Sequence, residues 1–367
     1  MSNISFAEYI WLDGAVPVRQ IRSKARVVTI KTPLKPTLAD FPEWSFDGSS
    51  TNQAVGHNSD CIIKPVNFVK DPVRGEGNYL VMCEVFDPEG KHPHESNSRA
   101  QLRAVLDAGA KEHDLWFGFE QEYTLFHGWN PIGWPEGGYP APQGPYYCGV
   151  GPRQISGDAR NLVEAHAQAC VEAGILFYGI NAEVMPGQWE FQIGYRGING
   201  EDAGPLNVAD HLWISRWLMH RISEDFDIHV SFDNKPVKGD WNGAGCHTNV
   251  STKGTRDPKT GRKAIDEAIS RLSKKHPEHI ALYGDKLEER LTGAHETCSI
   301  HEFRSGDADR GSSIRIPKPV ATKGYGYIED RRPGANSDPY LVAARLATTV
   351  CNVKESVMAF RSWPRSK

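Results

Sequence analysis

The sequence feature that most restricts the fold is one run, Leu115–Phe126, in which large apolar side chains occupy most alternate positions. Side chains of a β-strand point alternately to opposite faces, so this period of two predicts a strand with one face in the core. The core face would carry Leu115, Phe117, Phe119, Tyr123 and Leu125. Glu120 and Glu122 share the other face, ~7 Å apart, where they repel each other unless water or cations intervene. For an isolated pair of this kind, a half-solvated strand is the plainer alternative.

A second segment repeats the arrangement. In Asn181–Gly194, alternate apolar residues predict a core face, and Glu190 and Gln192 lie on the opposite face. Glu183 precedes Glu190 across a Pro-Gly turn, and a hairpin would bring these two carboxylates together. Four carboxylates from two segments would then converge.

A third segment adds an imidazole. The strand period places His247, Asn249 and Ser251 on one face of the run that ends at Ser251. A single histidine is more often a hydrogen-bonded structural residue than a ligand. Beside glutamates and without cysteine, it indicates oxygen ligands with one nitrogen, a set that suits Mg²⁺ or Mn²⁺ better than zinc.

Arginine is frequent in the C-terminal third, next to glycine, proline and carboxylates. These arginines are Arg290, Arg310, Arg315, Arg331 and Arg332. Surface salt bridges are one explanation; guanidinium groups that bind phosphate or carboxylate oxygens are the other. The sequence lacks the Gly-x-x-x-x-Gly-Lys-[Ser/Thr] and Gly-x-Gly-x-x-Gly phosphate loops, so metals and arginines would have to hold any ATP phosphates. The residues by themselves predict a two-metal, arginine-lined site for phosphate or carboxylate.

Composition restricts the class of protein. The chain has 367 residues, a formal net charge of −4 and no polybasic run, so nucleic acid and anionic membranes are poor default partners. No apolar run reaches the ~18–20 residues that span a bilayer, and the first residues do not resemble a signal peptide. Seven cysteines without a Cys-x-x-Cys pair indicate reduced thiols. We expect a soluble, cytoplasmic protein.

Proline- and glycine-rich turns, together with a polar linker candidate, predict two domains. Strand-rich runs indicate a small β domain at 1–90, and the polar stretch Asp87–His94 is the best linker candidate. Ser96 or Ser98 would then cap a helix that runs to about His113. Strands alternate with helices afterwards, which predicts an α+β domain at 97–367. The long Gly/Pro-rich interval Gly128–Gly151 predicts an ordered functional loop.

Taken in order, these segments resemble glutamine synthetase, specifically its class II, eukaryote-like, short-chain branch. The match runs nearly end to end. The segments that carry it are Trp44–Thr51, Phe119–Tyr123, Gly138–Gly151, Asn181–Gly194, Gly239–Asn249, His295–Thr297 and Glu329–Pro333. The resemblance implies an α+β fold in which a small N-terminal β-grasp domain precedes a larger catalytic domain with a curved antiparallel sheet flanked by helices.

The resemblance also gives the acidic residues roles. It implies that one divalent ion, near the glutamate and ammonium sites, is held by Glu122, Glu183 and Glu190. A second ion, on the ATP phosphates, would be held by Glu120, His247 and Glu329. Both would be Mg²⁺ or Mn²⁺.

Substrate contacts follow from the same resemblance. Arg290 would bind the α-carboxylate of glutamate, aided by Asn242 and Gly243. Arg310 and Arg331 would clamp the transferred phosphoryl group and contact glutamate. ATP would be bound by Trp116, Glu190, Asn249, Ser251, Arg310, Arg315 and Tyr327. Before Arg310 the chain departs from the family, because Asp307 and Asp309 stand where Val and Asn are usual and add negative charge beside the clamp.

The implied reaction is ATP-dependent ligation of ammonium to L-glutamate through γ-glutamyl phosphate. Asp47 would take a proton from ammonium, and Glu296, on a mobile loop, would help to bind ammonium and close the site. Asp47 belongs to the N-terminal domain, and family active sites form between subunits of a decamer of two five-membered rings, so a monomer would be inactive. Two alternatives stay open, a γ-glutamyl amide ligase that uses another amine and a non-catalytic oligomeric scaffold. Intact Asp47 and Glu296 favour ammonium.

Overall fold

The structure, a computed structural model, describes residues 3–134, 146–150 and 157–357. Its first part is a five-stranded sheet with the strand order β2-β1-β5-β4-β3. The strands are β1 (Ile4–Leu12), β2 (Ile21–Thr29), β3 (Trp44–Asp47), β4 (Asp60–Lys70) and β5 (Tyr79–Phe86). Strands β1 and β5 are parallel, and the other neighbours are antiparallel. One face packs around its own apolar cluster, which includes Tyr9, Trp11 and Ile63. The predicted β domain is confirmed.

The second and larger part of the described chain is built on a nine-stranded sheet. Its strands are β6 (Trp116–His127), β7 (Asn130–Pro131), β8 (Phe177–Ala182), β9 (Gln188–Gly194), β10 (His229–Ser231), β11 (Cys246–Ser251), β12 (Ser305–Asp307), β13 (Ile314–Ile316) and β14 (Ile328–Asp330). The order is β12-β13-β14-β11-β6-β9-β8, and β7 and β10 also pair with β6. All pairs are antiparallel except β12 with β13. The predicted α+β class is therefore confirmed.

Helices lie before, between and after the strands of this sheet. They are α1 (Ser98–Asp107), α2 (Gly157–Ala173), α3 (Pro205–Ser223), α4 (Lys253–Arg256), α5 (Gly261–Lys274), α6 (His276–Ile280), α7 (Leu287–Arg290), α8 (Lys318–Lys323) and α9 (Pro339–Val350). Helices α3 and α9 are buried on nearly all sides, so they form the centre of the core. Within the described residues, no helix is long and apolar enough to cross a membrane.

A buried polar network joins the two sheets. Arg99, at the start of α1, donates to Glu84 of β5 at 2.9 Å and to Asp210 of α3 at 2.8 Å. Asp210 also accepts hydrogen bonds from the Asn67 side chain and the Tyr340 hydroxyl. Because the charges are paired and hydrogen-bonded, their burial is tolerated, and the network fixes the N-terminal sheet against α3.

Two local predictions differ from the structure. Asn97, not a serine, caps α1, and its side chain accepts a hydrogen bond from the Ala100 N–H at 3.0 Å. The helix ends at Asp107, where Gly109 (φ 124°) breaks the backbone before a 3-10 turn. Of the predicted Gly128–Gly151 loop, residues 135–145 and 151 lie outside the described residues. The last strand of the N-terminal sheet ends at Phe86 and α1 begins at Ser98, while the domain limits 1–90 and 97–367 stay a prediction.

Candidate active site

The register of the central strands brings acidic side chains together. Glu122 of β6 lies directly opposite Glu190 of β9, and Glu120 lies opposite His247 of β11. Facing residues of neighbouring strands have Cβ atoms ~4.5–5.5 Å apart, so these side chains share one small region of the sheet. Phe119, Tyr123 and Phe191 on the opposite face are buried in the core. A register slip that moved the acids to that face would expose these apolar side chains, so the core fixes the face on which the acids lie.

Two groups of potential ligand atoms lie within this region. The ligand atoms of Glu122, Glu183 and Glu190 all lie within 4.8 Å of one another, and so do those of Glu120, Glu190 and His247. Glu190 therefore belongs to both groups. The donors are carboxylate oxygens and one imidazole nitrogen, with no thiolate, which fits hard divalent cations such as Mg²⁺ or Mn²⁺.

The electrostatics of the first group also fit a cation. Burial raises the pKa of Glu122 to about 6, although the Gly245 N–H and Arg290 oppose this shift. Burial and the neighbouring Glu122 raise the pKa of Glu183 to about 8. Burial and adjacent glutamates raise the pKa of Glu190 well above its ordinary value. Carboxylates that crowd each other in this way gain from a bound dication, which cancels the repulsion.

His247 is held as a neutral imidazole. Burial, with Arg331 and Arg290 next in importance, keeps its pKa well below the usual range. Arg290 Nη2 lies 3.0 Å from His247 Nε2, while Nδ1 lies 3.4 Å from Glu120 and 3.7 Å from Glu329. A neutral ring with one nitrogen among carboxylates has the form that a metal ligand requires.

Glu329 lies beside both the histidine and the arginines. One oxygen is 2.6 Å from Arg331 Nη1 and the other is 2.6 Å from Arg315 Nη1. Arg331 also donates from Nε to the Arg310 carbonyl at 2.9 Å, and from Nη2 to the Glu296 carbonyl at 3.3 Å. The predicted phosphoryl clamp therefore lies next to the carboxylates, although Arg310 itself is exposed.

Two glycines let Arg290 reach the histidine. A Cβ on Gly245 would lie 2.4 Å from Arg290 Nη2, and one on Gly243 would lie 2.7 Å from Arg290 Cγ. Only glycine fits at such distances. Arg290 is buried, and it also donates to the Arg331 carbonyl at 3.0 Å. Asn242 is buried next to Gly243, so the residues predicted to bind glutamate lie together.

A cleft of about 490 Å³ begins at Glu120 and continues along the predicted ATP residues. Trp116, Asn249, Ser251 and Tyr327 line it. The Asn249 amide donates to Glu120 at 2.9 Å, while its Oδ1 is buried without a hydrogen-bond partner among the described residues. The cleft has aromatic walls and a polar end near the carboxylates, as a nucleotide base with phosphates would require.

The two residues predicted to act on ammonium lie in different surroundings. Glu296 is exposed, adopts a left-handed backbone (φ 60°), and raises the pKa of Glu183 through its charge, so it lies near the first group. Asp47 is also exposed, but its hydrogen bonds come from Ser49 and Ser50 in its own loop and from Ser59. These bonds lower the Asp47 pKa. Within the described part of the chain, nothing links Asp47 to the carboxylates of the larger sheet.

Sequence reasoning missed three side chains that support the site. Gln121 occupies a core-face position of β6 between the two glutamates, and Arg216 of α3 donates to its side-chain oxygen at 2.9 Å. A polar residue inside an otherwise apolar strand face was the available signal for Gln121. Arg256 packs on Trp116, with its guanidinium carbon 4.1 Å from the ring centroid, and donates to Ser251.

The two acids that depart from the family have local partners. Asp309 accepts a hydrogen bond from the Gly311 N–H at 2.9 Å. Asp307 lies 3.7 Å from the Arg262 guanidinium of α5. Both side chains are exposed, so solvent also screens their charge.

The fold is a β-sheet domain followed by a sheet that carries a carboxylate cluster, one imidazole and several arginines, which is a donor set of the class found in proteins that bind divalent cations. Residues 3–88 match the family described as glutamine synthetase, beta-grasp domain, and residues 95–357 match glutamine synthetase, catalytic domain. This chain therefore belongs to the glutamine synthetase family, and the predicted resemblance is confirmed.

Relatives from distant organisms support this assignment. The chain is 55% identical over 354 residues to glutamine synthetase, chloroplastic, of Chlamydomonas reinhardtii, which covers 94% of this chain and 90% of that protein. It is 51% identical over 360 residues to glutamine synthetase of Saccharomyces cerevisiae, covering 98% and 92%. It is 50% identical over 349 residues to glutamine synthetase of Streptomyces viridochromogenes, covering 95% and 97%.

Proposed function

We propose that this chain catalyses the ATP-dependent ligation of ammonium to L-glutamate, giving L-glutamine, ADP and phosphate. The observation that carries the proposal is the pair of ligand groups that share Glu190 beside Arg331 and Arg290. Within a chain of this family, that arrangement supplies sites for cations, for phosphate and for a carboxylate at one place.

The metal sites would divide the acidic residues. Glu122, Glu183 and Glu190 would hold one ion, and Glu120, His247 and Glu329 the other. The 4.8 Å groupings support the first trio, while the 3.7 Å between His247 and Glu329 supports the second. Mg²⁺ or Mn²⁺ bound there would neutralise the ATP phosphates and orient them toward glutamate. Glu190 is close enough to both groups to contact either ion.

Substrates would bind on opposite sides of the carboxylates. Arg290, with Asn242 and Gly243, would hold the α-carboxylate of glutamate, because a buried guanidinium binds carboxylate oxygens in bidentate fashion. ATP would occupy the 490 Å³ cleft, with the base toward Trp116 and the phosphates toward Glu120. The remaining nucleotide contacts would come from Glu190, Asn249, Ser251, Arg310, Arg315 and Tyr327.

The reaction would proceed in two displacements. The γ-carboxylate oxygen of glutamate attacks the terminal phosphorus of ATP, the bond to ADP breaks, and γ-glutamyl phosphate forms. Arg310 and Arg331 would stabilise the charge that spreads over the transferred phosphoryl oxygens. Ammonium then loses one proton, and its nitrogen attacks the acyl carbon to give a tetrahedral intermediate. Phosphate leaves with the C–O bond electrons, and the nitrogen gives up a second proton, to the departing phosphate or to solvent, so that the neutral amide forms.

The acceptor of the first proton would be Asp47 from a neighbouring copy of the chain. Asp47 is exposed, and hydrogen bonds within its own loop hold the carboxylate in place. Its side chain is therefore accessible to a neighbouring subunit. Glu296, exposed near Glu183, would complete the ammonium site and exclude water. Such shared sites support a closed ring of subunits, and we propose the decamer of two five-membered rings.

A reducing compartment is consistent with the cysteines. All seven are unpaired, and six of them are buried. We propose the cytoplasm as the place where this reaction occurs.

A phosphate-release assay tests the proposed reaction. The purified chain with ATP and Mg²⁺ or Mn²⁺ should release phosphate only when glutamate and ammonium are both present, and glutamine should form in equal amount. Turnover with methylamine or a polyamine but not with ammonium would instead support the related amide ligase. Nucleotide binding without any turnover would support the scaffold.

A further inference from the structure

A buried polar pair lies directly behind the carboxylates, on the core side of β6. Gln121 stands between Glu120 and Glu122 in the chain, yet its side chain points to the opposite face and is 0% exposed. Its partner, Arg216 of α3, is 3% exposed. We infer that Arg216 and Gln121 are positioning residues for the metal ligands, an inference that rests on the ligand roles proposed above.

Gln121 ties β6 to the segment that follows β14. Its side-chain oxygen accepts two hydrogen bonds from Arg216, one of them from Nε at 2.9 Å. Its Nε2 donates to the Glu122 carbonyl at 2.8 Å and to the Ala335 carbonyl at 3.1 Å. The amide is therefore engaged at both ends, and one of its bonds holds the backbone of a proposed ligand.

Arg216 extends the tie to a third ligand-bearing segment. It donates to the Ser337 carbonyl at 2.9 Å and to the Ala335 carbonyl at 3.1 Å. The same segment is bonded to the residues just before β11, the strand that carries His247, because the Ala335 N–H donates to the Ala244 carbonyl at 3.1 Å. One side chain on a buried helix thus fixes the segments that bear Glu122, His247 and Glu329 relative to one another.

The cost of this arrangement indicates a role beyond stability. Within the described part of the chain, the hydrogen bonds of the Arg216 guanidinium end on neutral groups, and burial lowers its pKa. A buried charge without a hydrogen-bonded carboxylate is expensive, and an apolar residue would often pack at lower cost. Arginine donates to these three fixed oxygens from separate nitrogens of one rigid plane, whereas the three N–H groups of lysine diverge from a single nitrogen.

Mn²⁺ binding in the absence of ATP and glutamate tests the inference. Arg216→Lys keeps the charge but loses the fork, and we expect it to weaken Mn²⁺ binding by about 10-fold or more, as loss of groups that orient metal ligands does. Arg345→Lys is the matched control, because Arg345 is a buried arginine of α9 (2% exposed) that bonds Thr349 and Glu355. Calorimetry measures how much each of the two variants is destabilised, so that loss of Mn²⁺ binding can be separated from loss of stability.

A second substitution tests the same pair from the strand side, without a change in α3. Gln121→Met keeps the length of the side chain but removes its hydrogen bonds, and its effect on Mn²⁺ binding should not add to that of Arg216→Lys. Equal Mn²⁺ binding by Arg216→Lys and Arg345→Lys would overturn the inference. So would simple additivity of the effects of Arg216→Lys and Gln121→Met on Mn²⁺ binding. Failure of the unmodified chain to bind Mn²⁺ would instead overturn the ligand roles on which it rests.

Discussion

The carboxylate cluster and the Asp47 loop are proposed parts of one site, yet they differ in how they are built. The cluster lies on paired strands, and the described chain brings its members together without help. The Asp47 loop is an exposed turn whose hydrogen bonds stay within the N-terminal sheet. One chain therefore brings the carboxylates of the proposed metal site together, whereas we propose that the Asp47 loop contributes to the site of a second chain.

Their electrostatics differ in the same sense. Burial raises the pKa values of Glu122, Glu183 and Glu190, so the ionised forms of these carboxylates are unfavourable unless a cation neutralises them. Hydrogen bonds from Ser49 and Ser50 lower the pKa of Asp47, so it is already stable as an anion. The cluster thus gains from a ligand, while the loop is prepared in advance.

Loss of Glu190 should have the largest effect, because both ligand groups contain it. Glu190→Gln keeps the shape and removes the charge, and phosphate release should fall by at least ~10³-fold, since one cation loses a ligand and the other loses a neighbouring negative charge. A coupled phosphate assay measures this. Glu172→Gln, an exposed change on α2, is the control. Retention of more than a tenth of the activity in Glu190→Gln would contradict the role of Glu190 as a metal ligand.

Asp47→Ala should lower glutamine formation by roughly 10²-fold, the size of a general-base contribution, while Mn²⁺ and ATP binding stay unchanged. Co-expression of Asp47→Ala with Glu190→Gln chains tests whether Asp47 and the carboxylate cluster of one site come from different chains. If Asp47 acts on a neighbouring copy, mixed oligomers regain about a quarter of the activity in random assembly, because some sites then receive both intact parts. Mixed oligomers as inactive as the single variants would show that Asp47 serves its own chain.

The raised pKa of Glu183, about 8, predicts that the metal-free protein becomes less stable as pH rises. The stability from this group is fully present below its ordinary pKa of 4.5 and is lost as pH rises through about 8. Between pH 5 and 8 the melting temperature should therefore fall by roughly a few degrees more in the unmodified protein than in Glu183→Gln. Added Mn²⁺ should reverse the fall. Identical slopes for both proteins would contradict the burial argument.

Asp309→Asn should have the smallest effect. The Asn oxygen can accept the same hydrogen bond from Gly311, so the turn before Arg310 is kept while one exposed charge is lost. We expect the KM for ATP to change by less than about twofold, as for other solvent-screened charges. A tenfold fall in this KM would mean that Asp309 opposes the phosphoryl clamp directly.

The strand faces that carry the acids can be predicted from the sequence alone. Period-two alternation in Leu115–Phe126 and Asn181–Gly194 is a local property, since neighbouring side chains of any strand point to opposite sides. The hairpin between Glu183 and Glu190 followed from a Pro-Gly turn, and the family followed from motifs in order. All of these were predicted without knowledge of how distant strands pair.

The alignment of the strands, and the side chains that lie behind them, depend instead on the complete fold. The register that sets Glu120 opposite His247 joins residues more than a hundred positions apart, which no local pattern encodes. The same holds for Glu190 as a member of both groups, for the two arginines on Glu329, and for the Arg216–Gln121 pair. Such contacts depend on packing between separate elements, and packing is a property of the whole fold.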